Sequence, residues 1–442
     1  MMGSRQTWLT VLSALLLFAA GCSREAGGPV QITLQRFFGA CDAQYGSSTD
    51  VESAEGECGI ITTLINRFNA RNPDVHVRVN IVYWPGYDQL SAALAAGDPP
   101  DLVTMHQSVI SDYSQRKLIV PLDAQLRAAG IDPAAFTRAA REGVTRAGHI
   151  YALPFDNWAP LWHINLNLFR QAGLLRDGMP ILPHSPEELL QQARQFTRAT
   201  GKPYLVQSMV NEPYAYARNL FTLLMQQDSH FFVDPRRIEL ETPQARNVLQ
   251  LFRQIYAEGL TTRNQDYTAA TSAFLNGQGD VYLVGTWMIG TYEDASRQPG
   301  SPLAGGYTVV PFPQLYPGRD VTYADGHSWV VPRKPRSARE MAGIVRVLQF
   351  LWDNDFEWSR TGHLPASEAV IRSERWRALP HRATVAKLVD TAAPLPPGVQ
   401  RQFLIQQILS EEMESAITGQ KPIDAALADA QRRVNDLLFN LL

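Results

Sequence analysis

The spacing of apolar residues changes period along this chain, and the changes predict its elements. Residues 31–38, QITLQRFF, read as a strand. Residues 59–73 place Ile61, Leu64, Ile65 and Phe68 on one helical face and stop at Asn72 and Pro73, which predicts a helix. VHVRVNIVYW (75–84) alternates apolar and polar side chains, the pattern of a half-buried strand. YDQLSAALAAGDPP predicts a helix ending at Gly97, DLVTMHQ a buried strand, and SVISDYSQRKLIVPL a short helix running into a turn. Strand, helix, strand, helix, strand implies parallel strands with crossover helices, and such sheets take ligands at the carboxyl ends of their strands. Phe38, Trp84 and the pair His106 and Gln107 stand at three such ends. Further on, VYLVGTWMIGTY (281–292) predicts a buried strand, a Gly-Thr-Trp turn and a helix start, and SEEMESAITGQKPIDAALADAQRRVNDLL predicts a pair of amphipathic helices.

One helix start stands out. From the Tyr214 of MVNEPYAYARNLF (209–221) onward, the apolar residues Tyr214, Ala217, Phe221 and Leu224 follow a helical spacing, Asn211 is placed to cap, and Pro213 fits the first turn. Glu212 and Tyr214 then lie together at the tip. An acid there complements the helix dipole without any further role, and a tyrosine can simply pack inward. An acid beside an aromatic ring also suits a sugar, whose C–H face packs on aromatics and whose hydroxyls need acceptors.

The start of the chain changes the picture of where it acts. Residues 6–21, QTWLTVLSALLLFAAG, follow Arg5 and precede Cys22, the layout of a secretory signal, too short for a convincing membrane span. The ending AAGCS resembles a bacterial lipobox, with Ala19 in place of the usual leucine. On that resemblance Cys22 carries lipid and begins the mature chain; the alternative is an ordinary cleaved signal. Cys41 and Cys58 remain, and in an exported chain such a pair is most simply a disulfide, with metal binding by two thiols as the competing reading. About 420 residues follow the signal, enough for two sizeable cores. A formal charge of −3 and the lack of any basic run argue against nucleic acid as a partner.

The phrases FNARNPDVHVRVNIVYW, DQLSAALAAGDPPDLVTMH, GHIYALPFDNWAPLWHINLNLFRQAGL and TGHLPASEAV, in that order, resemble the extracellular solute-binding proteins of ABC importers, in the sugar-binding branch. The resemblance runs from about residue 31 to the C terminus. It implies an α/β chain with the two-lobe periplasmic-binding-protein fold, a hinge, and a ligand cleft between the lobes. After a signal at 1–21, the first lobe would take 22–155 and 312–353, and the second 156–311 and the helical 354–442. YALPFDN (151–157) resembles the first hinge strand and YTVVPFP (307–313) the return. The Cys41 and Cys58 loop is not a feature of most members.

The resemblance also implies a site. In maltodextrin-binding members a Glu-Pro-Tyr sequence at a helix start contacts sugar; here the matching residues are Glu212, Pro213 and Tyr214. Trp287 matches a sugar-stacking tryptophan in a Gly-x-Trp turn, with a core tryptophan as the alternative. Asp156 follows the hinge strand where the family often has a polar cleft residue, and Gln107 matches a loop that often contacts hydroxyls. Trp84, Gly326 and His327 are further cleft candidates, while His106, His363 and Phe38 are divided between cleft and core. The implied function is sugar binding, first an α-glucoside such as maltose or trehalose, by a monomer that closes on its ligand and delivers it to a membrane permease. The membrane itself would be met only through the lipid anchor.

Two other classes stay open. A secreted glycosidase needs two carboxylates across one bond, and Asp156 with Glu212 is a formal pair. An adhesin or scaffold would keep the fold without the ligand. The chain has no G-x-S-x-G, no H-E-x-x-H, no P-loop and no dinucleotide fingerprint, and its 9 histidines show no metal-ligand spacing, so no cofactor or metal is expected.

Overall fold

The computed structural model describes residues 28–210, 214–396 and 398–441. The strands of its two larger sheets, in chain order, are β1 (Val30–Arg36), β2 (Val75–Ile81), β3 (Leu102–His106), β4 (Leu153–Pro154), β5 (Pro160–Asn165), β6 (Leu205–Val206), β7 (Val281–Gly285), β8 (Tyr307–Pro311) and β9 (His327–Val330). They form two sheets, one ordered β2-β1-β3-β9-β4 and the other β6-β7-β5-β8. The chain is a two-lobe α/β protein with one sheet in each lobe.

In the first lobe the expected alternation of strands and helices is present. β1 pairs parallel with β2 and β3, and helices α1 (Gly56–Arg71) and α2 (Tyr87–Ala95) form the crossovers. Ile60, Ile61, Leu64, Ile65 and Phe68 turn the buried face of α1 onto the sheet. β3 is buried along its whole length, as its unbroken apolar run implies. β9 then enters antiparallel beside β3, with His327 opposite His106. An antiparallel neighbour brings the end of one strand level with the start of the other. Two histidines 221 positions apart in sequence therefore meet at one edge of the sheet.

The polar segment between Cys41 and Cys58 departs from the irregular loop its composition suggests. Asp42–Tyr45 is a short helix, Val51 and Ala54 are fully buried in the first core, and Glu57 already lies in the first turn of α1. The two cysteine sulfurs are bonded, tying the stretch after β1 to the start of α1.

The second lobe packs its helices around the other sheet. α3 (Ala215–Gln226) is almost wholly buried, its polar residues Arg218, Asn219, Thr222 and Gln226 included. Helices α4 (Ala338–Asp353), α5 (Gln402–Ile417) and α6 (Ile423–Phe439) follow, α4 packed on the first core and the other two on the second. Ser337 and Glu340 close a capping box on α4. The chain leaves the first sheet at Pro154 and enters the second at Pro160, and it returns between Pro311 and His327. Phe312, Leu315, Tyr316, Val321 and Tyr323 still pack in the second core, whereas Trp358 and Ala366 pack in the first. The crossing strands are fastened side by side: Trp158 and Asp325 exchange backbone hydrogen bonds of 2.8 and 3.1 Å, and Asp156 pairs with Pro365. Among the described residues no helix is long and apolar enough to cross a membrane.

Candidate functional site

A cavity of about 480 Å³ lies where the two lobes face each other. Phe37, Phe38, Trp84 and His106 reach it from the carboxyl ends of β1, β2 and β3. These are the strand ends at which an open α/β sheet takes its ligands. From the other side come Trp158 in the crossing, Arg218 on α3, Tyr267, and Trp287 just after β7. The rings meet edge to face: Trp84 with His106 at 5.8 Å, Trp158 with Trp287 at 5.4 Å, and His106 with His327 at 4.8 Å between centroids. Arg218 lies over Trp158, its guanidinium carbon 4.7 Å from the ring centroid, and its Nε donates to Gln406 at 3.3 Å.

Trp287 is half-buried and is set in place by its own turn. Its Nε1 donates to the Tyr267 hydroxyl at 2.9 Å, and its ring folds back over Gly285. A methyl group on Gly285 would come within 1.9 Å of that ring, so the glycine is required by close approach. Trp84 is also half-buried and stands between His106 and Tyr214.

The polar wall is built on Asp156. This carboxylate is fully buried and does not face the cavity as an open acceptor. It accepts from the backbone N–H of His327 at 3.0 Å, from His327 Nδ1 at 2.9 Å and from Trp358 Nε1 at 2.7 Å. Burial opposes its ionisation, but the nearby imidazoles of His327 and His363 and these bonds outweigh it and hold the carboxyl down at about 2. His327 responds in the opposite sense: burial would lower it, yet Asp156 holds it above the ordinary histidine value. His106 is pushed well down by burial, aided by His327 and Arg218, and shares a 2.6 Å hydrogen bond with the Tyr87 hydroxyl. His363 is buried behind the wall and meets Glu57 at 2.9 Å.

The structure divides the residues singled out from sequence. Trp84, Trp287 and His327 face the cavity, as do Phe38 and His106. Gln107 turns away from it. Its amide nitrogen donates to the Asp156 carbonyl at 3.1 Å and its oxygen accepts from Asn157 at 3.1 Å, so the side chain braces the crossing and borders a separate cavity of about 430 Å³ behind it. Gly326 lets the strands meet: a Cβ there would sit 2.3 Å from the Asp156 carbonyl oxygen. Tyr214 lies next to the main cavity, 5.0 Å from Trp84 and 5.1 Å from Phe403, in a groove also bordered by Tyr87. Glu212 and Cys22 lie outside the described residues. Trp158, Arg218, Tyr267 and Glu57 were not singled out from sequence. Arg218 and Trp158 sit inside runs that read as ordinary helix and hinge, and only the folded chain turns them inward.

A two-lobe α/β chain with an aromatic cavity between its lobes is a binding protein of the periplasmic type. The model of the bacterial extracellular solute-binding protein family matches residues 59–340, and the chain belongs to that family. Its members are substrate-binding proteins without enzymatic activity, and this chain is one of them. Among curated relatives, the sn-glycerol-3-phosphate-binding periplasmic protein UgpB of Pectobacterium atrosepticum is 24% identical over 426 residues, covering 91% of this chain and 94% of that one. UgpB of Escherichia coli K12 is 24% identical over 422 residues, covering 87% and 91%. Among solved structures, maltose-bound MalE3 of T. maritima superposes with a TM-score of 0.78 at 18% identity, covering 92% of this chain and 100% of that one. UgpB of Mycobacterium tuberculosis in complex with glycerophosphocholine superposes at 0.73 with 16% identity, covering 94% and 99%. The cyclic alpha-maltosyl-1,6-maltose binding protein of Arthrobacter globiformis gives 0.69 at 20% identity, covering 93% and 100%. These structures share the fold.

Proposed function

We propose that this protein binds a sugar in the interlobe cavity, in the first instance an α-glucoside disaccharide such as maltose or trehalose, and delivers it to an ABC permease. The observation that carries the reading is the cavity itself. Its volume of about 480 Å³ falls within the roughly 300–1,000 Å³ of small-molecule sites. Trp84 and Trp287 offer ring surface for the C–H faces of a pyranose, Trp158 backs them from the buried side, and Glu57, Asp266, Arg218 and His327 offer donors and acceptors at the rim. Glu212 and Tyr214 belong to the site on this reading through the Glu-Pro-Tyr match. Gln107, Asp156 and Gly326 serve it from behind, by fixing the crossing strands and His327. Closure follows because a ligand touching both lobes stabilises the closed form. The protein acts as a monomer in the periplasm, tethered by lipid on Cys22 and stiffened by the bond between Cys41 and Cys58. The lobes exchange where the chain leaves one core for the other.

The test is a thermal-shift screen of mono- and disaccharides followed by calorimetric titration, since a ligand that binds the folded state raises the midpoint by mass action. Arg218 favours a second reading. A guanidinium held over Trp158 at the cavity suits a phosphate ester, and the relatives named for sn-glycerol-3-phosphate make small glycerophosphate esters the second arm of the same screen. Binding of those esters, lost in Arg218→Gln, with no response to any sugar, would replace the sugar reading.

A further inference from the structure

Glu57, His327 and His363 come from three distant parts of the chain and converge on one wall of the cavity. One nitrogen of each imidazole and one oxygen of the carboxylate lie within 4.8 Å of one another. Glu57 is in the first turn of α1, His327 opens β9, and His363 lies just before the short strand Leu364–Pro365. Glu57 and His327 border the cavity, while His363 stands behind them.

The partners of the two histidines give the cluster its chemistry. His327 Nδ1 is held by Asp156 at 2.9 Å, and Asp156 is itself anchored by Trp358 Nε1 and the His327 backbone. His363 Nδ1 is held by Thr286 Oγ1 at 3.2 Å. Each ring is therefore oriented through Nδ1, which leaves Nε2 as the nitrogen available to a cation. Imidazoles that bind metal are commonly fixed in this way by a carboxylate or hydroxyl behind them. His363 Nε2 and Glu57 now meet at 2.9 Å across a single proton. Tetrahedral ligands about 2.0–2.2 Å from a zinc ion stand about 3.3–3.5 Å apart. A cation replacing that proton thus needs little separation of this pair, and His327 completes the set after a small approach. Glu57 can shift to meet the ion, because its side chain is 25% exposed, while the buried His327 has up to about 1.4 Å to close.

We propose that Glu57, His327 and His363 form a divalent metal site of the two-histidine, one-carboxylate type in the wall of the binding cavity. Two nitrogen donors and one oxygen suit a first-row transition ion such as zinc, whereas calcium and magnesium take mainly oxygen. Three protein ligands leave a position open, and the open position faces the cavity, where a hydroxyl or anionic oxygen of a bound solute can occupy it. The bond between Cys41 and Cys58 holds the residue next to Glu57, so it also positions the carboxylate.

The experiment uses untagged, chelator-treated mature protein and Zn²⁺ as the probe. Isothermal titration is expected to show one ion per chain, and the melting midpoint is expected to rise with added Zn²⁺. Glu57→Gln and His363→Ala should each weaken the affinity at least tenfold, and Asp156→Asn, acting through His327, by roughly tenfold to hundredfold. Glu57→Gln changes a partly exposed side chain and keeps the test decisive where His363→Ala does not fold. No heat and no shift with the parent protein at millimolar Zn²⁺ overturns the proposal, and so does unchanged affinity in Glu57→Gln. Titrating sugars into the chelator-treated protein reads the solute function separately, so either reading can fail alone.

Discussion

Trp287 shows how one side chain can belong to both the site and the core. It borders the cavity, donates to Tyr267 and covers Gly285, yet it also packs against the second lobe's apolar clusters. Trp287→Ala should therefore lower affinity for the best ligand about tenfold or more, because an aromatic contact beyond area burial is worth about 0.5–1.5 kcal/mol and the buried ring face adds to it. The same change should cost less stability than the about 3–5 kcal/mol of truncating a fully buried aromatic. Calorimetric titration and the ligand-free melting midpoint measure the two effects. Gly285→Ala should act from two positions away, lowering affinity by displacing the Trp287 ring while leaving the identity of every cavity residue unchanged; unchanged affinity would show that the ring is free to move. Trp84 was legible as a cavity residue because strand ends point at ligands in any open α/β sheet, whereas Phe38 and His106, at two other such ends, were divided between cleft and core until the fold set them at the cavity. Gln107 was not, since its neighbour in sequence faces the cavity and nothing local shows that its own amide is spent on Asp156 and Asn157.

At the scale of elements, the crossing strands and the segment after α4 carry the buried ionisable groups. Asp355 lies under the loop that leads to the first core and accepts from the backbone N–H of Ala366 and Ser367 at 3.4 and 3.1 Å. Burial pushes this carboxyl up to about 7, against those bonds. Between its ordinary value near 4 and about 7 the folded chain holds a proton that the unfolded chain has lost, so stability should fall as pH rises through that window and level off above it. The slope from this one group is at most about 1.4 kcal/mol per pH unit. Subtracting the denaturation midpoints of Asp355→Asn from those of the parent between pH 5 and 8 isolates it; a flat difference would show that Asp355 is ionised throughout. The other element-level prediction concerns the start of α1. Non-reducing peptide mapping should find Cys41 and Cys58 joined, and reduction should cost about 3 kcal/mol for a loop of this size in the chain-entropy picture. Free alkylation of both thiols without reductant would remove the claim.

For the whole molecule the two cores are separate and the segments between them few, which allows the lobes to rotate against each other. Saturating ligand should make the protein more compact, read as a smaller radius of gyration in solution scattering, and Trp84→Ala should need far more ligand for the same change. Compaction without ligand, or none with a ligand that binds, would mean that the lobes do not close around it. Cys22→Ser should release the protein from membranes or leave its signal uncleaved, and fractionation with immunoblotting checks this.

The sequence by itself determined the alternation of strands and helices in the first lobe, the two C-terminal helices, the exported character of the chain, and two of the tryptophans at the cavity, Trp84 and Trp287. These follow from local period and from short motifs, which act over a few residues. Only the tertiary structure decided which polar groups meet. Asp156, His327, Trp358, His363 and Glu57 are spread over three hundred positions and share no spacing that a motif search detects. They come together because an antiparallel strand re-enters a parallel sheet and the crossing segments are laced side by side. That geometry also turned Arg218 from a residue in an ordinary helix into a cation over Trp158, and Asp156 from an expected ligand contact into the buried anchor of His327. Long-range pairing of strands sets such contacts, and the physical reason they escape the sequence is that each partner, taken alone, satisfies every local rule for a strand end, a helix turn or a loop.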